Sequence, residues 1–494
     1  MAGKSIIIIT FLLISAALVH AEPDFTLNDR ALTAVLVALK TDCRAYTANE
    51  AYNEGGRLQH EAAMSQYYLQ LTGGLDSSGQ NSFKNILTDD IVITNNYSLL
   101  GGPELSFSQL LPSYGTLSGS VSDRIRGSGI EESNSPLLPR QEALFHNDLS
   151  FSIGLSQPLY FGEAYGASLR QVDQNLDISR INYQNNRNIL VISAIEDYYN
   201  LLKAKYQVDL IAVRLKTNTE YLRRMEKEYQ LGIWTLGQLN SARAASLQSS
   251  ADLLKAEQAL ISANELMSSV YGLTAAMLMD SESSASSDAE SVITELNSGG
   301  IEVADLLSRL DNSPDIRISL NRIAITESEI VLKQQQSAMI LNAGGTYKIS
   351  SGLTEETYSD NLSLSLGLSS SIIDGGAAES AIAVKKNELL RLENELEDKR
   401  ARTVSQMNLF LNNIILSRKL SDIYILQEET SRFEYDKGLK EFELGGITQK
   451  DLLDLQIELE NTRLSLLLNK INYNLAVLQL YKLLGYDLEG MLLG

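Results

Sequence analysis

The chain writes Asn147–Ala164 as NDLSFSIGLSQPLYFGEA and Asp360–Ala377 as DNLSLSLGLSSSIIDGGA, one stripe used twice at an interval of 213 positions. In the first, Leu149, Phe151, Ile153 and Leu155 alternate with Ser150, Ser152, Gly154 and Ser156. In the second, Leu362, Leu364, Leu366 and Leu368 alternate with Ser363, Ser365, Gly367 and Ser369. Period-two alternation puts the large side chains on one face of a strand and the small ones on the other. A half-buried strand of a soluble sheet alternates in the same way. A tilted strand crossing a bilayer needs the same pattern over about nine to eleven residues. The stripe alone leaves open what its apolar face meets.

The interval extends well beyond the stripes. Gly162 matches Gly375, Ala164 matches Ala377, Gly232 matches Gly445, Thr235 matches Thr448 and Gly272 matches Gly485, all at the offset of 213. A period this long is a duplicated half-molecule rather than a solenoid unit. The expected organisation is a first repeat over 22–272, a polar Ser- and acid-rich linker over 273–300, a second repeat over 301–486 and a tail over 487–494. Each repeat reads as a leading helix, a short strand, a loop, the stripe, a long helix, a Gly-containing turn and another long helix. In the second, the leading helix runs from about Ile301 to Met339 with Pro314 as an interruption. A strand follows near Ala343–Ser351, the stripe spans Asn361–Ser370, and helices span Ala377–Glu443 and Gln449–Leu484. Proline, which breaks helices, is missing from the long runs of both repeats. The repeats differ most over 73–146, which is Gly-, Ser- and Asn-rich. Within it LLPSYGTLSGSV (110–121) is the expected partner strand of the first stripe, and the remainder reads mostly as insertion and surface loop.

Composition excludes several classes. A formal net charge of −21 repels a phosphate backbone, so no nucleic acid is expected as partner. One cysteine, Cys43, and three histidines, His20, His60 and His146, leave no intrachain disulfide and little for metal or triad chemistry. No acid/base constellation or phosphate-cradling loop appears, so neither an enzyme nor a cofactor site is expected. At the N-terminus, Lys4 precedes the apolar run SIIIITFLLISAALV, and small residues stand at Val19 and Ala21. That is the form of a secretory signal peptide over 1–21, too short for a transmembrane helix.

The helices are too long for a small globular sheet. From Ala164 to Leu231 a continuous helix would extend roughly 100 Å at about 1.5 Å per residue. Together with the export signal and the all-small polar face, this favours a bilayer strand over a soluble one, with Tyr160 and Phe161 suited to an interfacial girdle. Free sheet edges cannot persist in hydrocarbon, where each unpaired backbone group costs several kcal/mol. Four expected strands per chain are too few for a barrel with a lumen, since the smallest have about eight. Several copies must then share one barrel, so a homo-oligomer follows from the strand count. The rival is a soluble periplasmic coiled-coil scaffold, which leaves the duplicated hairpins without a purpose.

With these residues in view, the chain resembles the TolC-like outer-membrane efflux proteins over nearly all of 22–494. The resemblance is carried by SQPLYFG at Ser156–Gly162 with its relative Ser369–Gly375. Further carriers are the turns YQLGIWTLGQLNSAR (229–243) and FELGGITQKDLLDLQ (442–456) and the close at Ala476–Gly485. It implies a mostly α protein with a membrane β-barrel: four strands from each chain of a homotrimer would form twelve, continued by a helical tube into the periplasm. The implied function is a passive exit duct of a tripartite efflux or type I secretion system in the outer membrane. Its partners would be an inner-membrane pump and a periplasmic adaptor, the latter meeting the turns at Leu231, Gly232, Trp234, Leu444, Gly445 and Thr448.

The resemblance also assigns a pore constriction to Asp451 and Asp454, whose i, i+3 spacing shares a helix face. Three copies would stack two rings of three carboxylates, which select cations. The competing reading makes both ordinary helix-start acids favoured by the dipole. One departure is visible: where well-known members lock the closed tube with Tyr and Arg against Asp and Thr, this chain has Phe442, Ile447, Gln238 and Gly237. That lock cannot form here.

Overall fold

The computed structural model describes residues 30–87, 91–113, 115–133, 144–159, 164–274, 278, 303–336, 339–352, 358–369 and 375–493. The expected signal peptide, the 280–300 part of the expected linker and the Tyr160–Phe161 pair lie outside them. In chain order come α1 (Arg30–Asp42), α2 (Arg44–Ser65), β1 (Gln70–Leu87), β2 (Ile91–Leu110), β3 (Thr116–Ser133) and β4 (Leu144–Pro158). Then follow α3 (Ala164–Gln230), α4 (Leu236–Tyr271), the short α5 (Val303–Ser308), a 3-10 turn (Leu310–Asn312) and α6 (Pro314–Gln336). The chain continues through β5 (Ile340–Gly352), β6 (Tyr358–Ser369), α7 (Ala377–Glu443), α8 (Gln449–Leu483) and α9 (Leu488–Leu493).

The duplication governs the helices. α3 and α7 are both 67 residues long, and they start and stop 213 positions apart. Each is followed by a left-handed glycine, Gly232 at φ 77 and Gly445 at φ 75, a conformation that other residues adopt only with strain. Pro314 opens α6 after a break, as its missing N–H and fixed φ favour at a first helical position.

Two compact units are present. One takes the described parts of 1–54, 179–319 and 395–494 and holds the main core. Along α3, Val191, Ile195, Tyr198 and Leu202 recur at three- and four-residue steps, each at most 2% exposed, so one stripe of the helix is apolar. It packs with α1, Met267 and Tyr271 of α4 and Val477, Leu480 and Leu484 at the end of the second repeat. Burying each such side chain contributes about 1.5–3 kcal/mol. Glu489 pins α9 by accepting from Tyr46 Oη at 2.8 Å and Lys40 Nζ at 3.3 Å, which pushes the Tyr46 hydroxyl pKa upward through burial and the adjacent carboxylate.

The other unit takes 55–178 and 320–394 and contains one antiparallel sheet in the order β1-β2-β3-β4-β5-β6. The four strands expected from the sequence are there as β3 to β6. Two more precede them, so among the described residues six strands stand where four were expected, and the described part of 73–146 is largely sheet rather than loop. The reason is local: Gly, Asn and Pro dilute the alternation in β1 and β2, and their regularity appears only once each is paired with a neighbour.

Register aligns residues across all six strands. One row runs Leu71, Phe107, Gly119, Ile153, Gly345, Leu364, and the next runs Gly73, Leu105, Val121, Phe151, Tyr347, Leu362. On the opposite face, one row is Thr72, Ser106, Ser120, Ser152, Thr346 and Ser363. The ladder between β2 and β3 skips from Gly101–Ile125 to Glu104–Ser122, where Pro103 has no N–H to donate. Beyond the hydroxyl rows the same face becomes charged. Arg124 donates to Glu104 at 2.7 Å, and Asp148 accepts from Lys348 at 2.8 Å and Ser350 at 2.6 Å.

Candidate functional site

The sheet has two chemically distinct sides. On the small side, Ser120 and Ser152 lie 2.8 Å apart and Ser122 and Ser150 2.6 Å apart, so cross-strand hydroxyls satisfy one another. On the large side, Leu362, Leu364, Leu366 and Leu368 are 61–79% exposed, with Phe151 and Ile153 exposed and Leu149 and Leu155 half-buried. A face of this size left uncovered is an interaction surface. Sequence reasoning did not find Leu71, Leu75, Leu105, Val121 or Ile125, all exposed on that same side. A signal for part of it was available: Leu105–Ser108 spells LSFS, as Leu149–Ser152 does. Among the described residues no helix is long and apolar enough to cross a membrane.

The two turns sit in the other unit and are built alike. After α3, Gly232 N donates to Tyr229 O at 2.9 Å and Ile233 N to Glu228 O at 3.0 Å. After α7, Gly445 N donates to Phe442 O at 2.9 Å and Gly446 N to Glu441 O at 2.7 Å. Thr235 then caps α4 in a reciprocal box with Gln238, and Thr448 caps α8 with Asp451, which satisfies otherwise orphaned helix amides. Large apolar side chains stand out at both: Leu231 is 75% and Leu444 86% exposed, and Ile233 and Leu236 are exposed beside them. Trp234 is instead half-buried. Its indole N–H donates to Glu228 at 2.5 Å, and it packs against Met225, Leu239 and Ala242. That indole and Arg224, at 2.9 Å, hold the Glu228 carboxyl below its ordinary pKa.

Asp451 and Asp454 are both exposed and line one groove with Glu434, Lys437, Glu441 and Ile447. Within a single chain Asp451 is committed to its cap: Oδ2 accepts from Thr448 N at 2.9 Å and from the Thr448 hydroxyl at 2.7 Å. Those donors keep its carboxyl below the ordinary value. Asp454 faces Lys450 at 3.6 Å, and Lys450 lies over the Tyr221 ring at 5.4 Å, joining the second turn to the end of α3. Of the four positions that depart from the family lock, Gln238 is turned to Thr235 and Ile447 lies near Gly438, beside Leu452 and Leu455 of α8. His60 meets Asp173 at 3.2 Å, and among the described residues no cluster of His, Cys, Asp and Glu could hold a metal ion.

Comparison with known proteins agrees with this architecture. A sequence model of the family described as "Outer membrane efflux protein" matches residues 108–272 and 307–486, more than half of the chain and one segment in each repeat. No curated protein matches. Among solved structures, the fold is similar to the CmeC outer membrane channel of Campylobacter jejuni, at 14% identity and a TM-score of 0.63, covering 96% of this chain and 89% of that one. VceC of Vibrio cholerae gives 14% identity, a TM-score of 0.62 and coverage of 92% and 96%. The open-state MtrE outer membrane channel of Neisseria gonorrhoeae gives 14%, 0.61 and coverage of 94% and 91%.

Proposed function

We propose, from the premise that the chain belongs to the outer membrane efflux protein family and is a non-enzymatic outer-membrane efflux channel, that it works as a homotrimer. Its partners are a periplasmic adaptor and an inner-membrane pump, which supplies the energy. The observation that carries this reading is the single sheet with leucines in register on one side and hydroxyls on the other. Lipid meets the first side, and the second lines a water-filled lumen. The free edges of the sheet are closed by neighbouring copies, because hydrocarbon tolerates no unpaired ladder.

The two turns serve as the adaptor-facing tips. Leu231 and Leu444 protrude there on rigid left-handed glycine turns, which suits docking by apolar contact. Asp451 and Asp454 form the constriction, three copies giving two stacked carboxylate rings that admit cations and repel anions. Asp451 being the N3 residue of a capping box is compatible with that role, since the cap bonds from Thr448 both fall on Oδ2. Detergent-extracted protein in a planar bilayer should conduct with a cation preference, and Asp451→Asn with Asp454→Asn should lower it. Unaltered ion selectivity in the double variant removes both residues from the pore. For the tips, Gly232→Glu with Gly445→Glu should abolish adaptor-dependent export while trimers still form; normal export by that variant overturns the docking assignment.

A further inference from the structure

We infer that the β1–β2 hairpin is a full part of the lipid-facing wall, so that each chain supplies six strands and three copies close a barrel of eighteen. This rests on the homotrimer proposed above but goes beyond it. The family match begins at residue 108, so β1 and almost all of β2 precede it. The twelve strands implied by the resemblance therefore do not include this hairpin.

Three observations place the hairpin in the wall. Pairing is continuous: β1 aligns with β2 from Gln70–Ser108 through Leu87–Ile91, and β2 with β3 from Ile93–Ser133 through Leu110–Thr116. A hairpin folded away as a loop would leave β3 as the sheet edge. Facing is continuous as well. Leu71 and Leu75 of β1 are 65% and 83% exposed, matching Leu364 at 79% on the far edge, and register puts them all on the same side. On the other side Thr72 and Ser106 extend the hydroxyl row of the remaining four strands. Packing, finally, joins β2 to β3 on the apolar side. A Cβ at Gly119 would meet the Phe107 ring at 2.4 Å, so that ring lies directly over the glycine.

The chemistry on each surface names its occupant. The apolar side of β1 and β2 continues the surface that meets acyl chains on β3 to β6, so lipid covers it too. The outer edge of β1 and the outer edge of β6, each paired on one side only, meet in neighbouring copies. Eighteen strands is the size at which porin-type barrels enclose an open aqueous channel. The membrane section is then never the narrow point of the duct.

Two measurements test this in the reconstituted full-length protein. Leu75→Trp and, separately, Leu364→Trp are placed in bilayers of natural or brominated lipid, with Trp234, the only native tryptophan, as a constant background. Equal loss of fluorescence in brominated lipid at both sites is expected. Quenching at Leu364→Trp with none at Leu75→Trp or Leu71→Trp overturns the hairpin's place in the wall while leaving the channel intact. Absence of quenching at every site overturns the channel reading itself. In parallel, Thr72→Cys or Gly74→Cys is combined with Ser363→Cys or Ser365→Cys and oxidised; Cys43, 3% exposed, stays out of the reaction. Covalent dimers and trimers are expected from β1 to β6. Cross-links formed only between Ser118→Cys or Ser120→Cys and β6 make β3 the true edge and refute the proposal.

Discussion

At the level of single residues, the duplication shows how one hairpin geometry is filled by two different sets of side chains. Met225, Leu239 and Ala242 form the small core behind the first turn. The residues at the same offset behind the second are Gly438, Leu452 and Leu455. Volume has been exchanged between partners: a large residue on α3 faces alanine, and a glycine on α7 faces leucine. A Cβ at Gly438 would lie 2.5 Å from Leu455 Cδ1, so a larger side chain there requires Leu455 to shift or shrink. Gly438→Met should therefore cost about 1–3 kcal/mol by overpacking, and adding Leu455→Ala should recover most of it. Thermal denaturation of the four proteins of this cycle checks the coupling; additive effects would mean that the two positions do not share a core.

At the scale of elements, the paired capping boxes differ in charge, and the difference predicts a pH response. Asp451 at α8 has a carboxyl held below its ordinary value of 3.8 by Thr448, whereas Gln238 at the matching place in α4 does not titrate. A depressed carboxylate contributes stability that is complete above its unfolded pKa and is lost as pH falls through the folded one. Amide protection in the first turn of α8 should thus fall below pH 3.8, relative to intrinsic exchange, while that of α4 holds. Equal loss in both turns would show that the cap charge is irrelevant. Elements of this kind were legible in advance. Long proline-free runs and turn glycines located α7 with the bounds later found, because helical periodicity, caps and breakers are all local. The β1–β2 hairpin was not legible, because the alternation of β1 is interrupted by Gly73, Gly74 and Ser77, and its facing is decided by cross-strand partners far away in sequence. The acid pair was legible as a helix face, with a helix start as the competing reading, but the capping bonds between Asp451 and Thr448 were not. The exposed Ile233 and Leu236 went unnoticed, since a hydrophobic residue in a turn gives no periodic signal.

For the whole molecule, the main consequence is that two repeats equal in their longest helices are unequal in their sheet. The first contributes four strands and the second two, so the second repeat alone keeps the simple hairpin plan. The soluble-scaffold alternative is disfavoured by the family match in both repeats, and it offers no use for leucines that are exposed in rows. The charged belt at Glu104, Arg124, Asp148 and Lys348 has an effect that follows from the monotony of the strands around it. Sliding one strand past its neighbour by two places leaves each side chain on the face it already occupies, because the pattern repeats every two residues. The two faces alone would not register such an error. The ion pairs and the close fit of the Phe107 ring over Gly119 would be broken, so these few contacts act as the index marks that separate one alignment of the sheet from near-identical wrong ones.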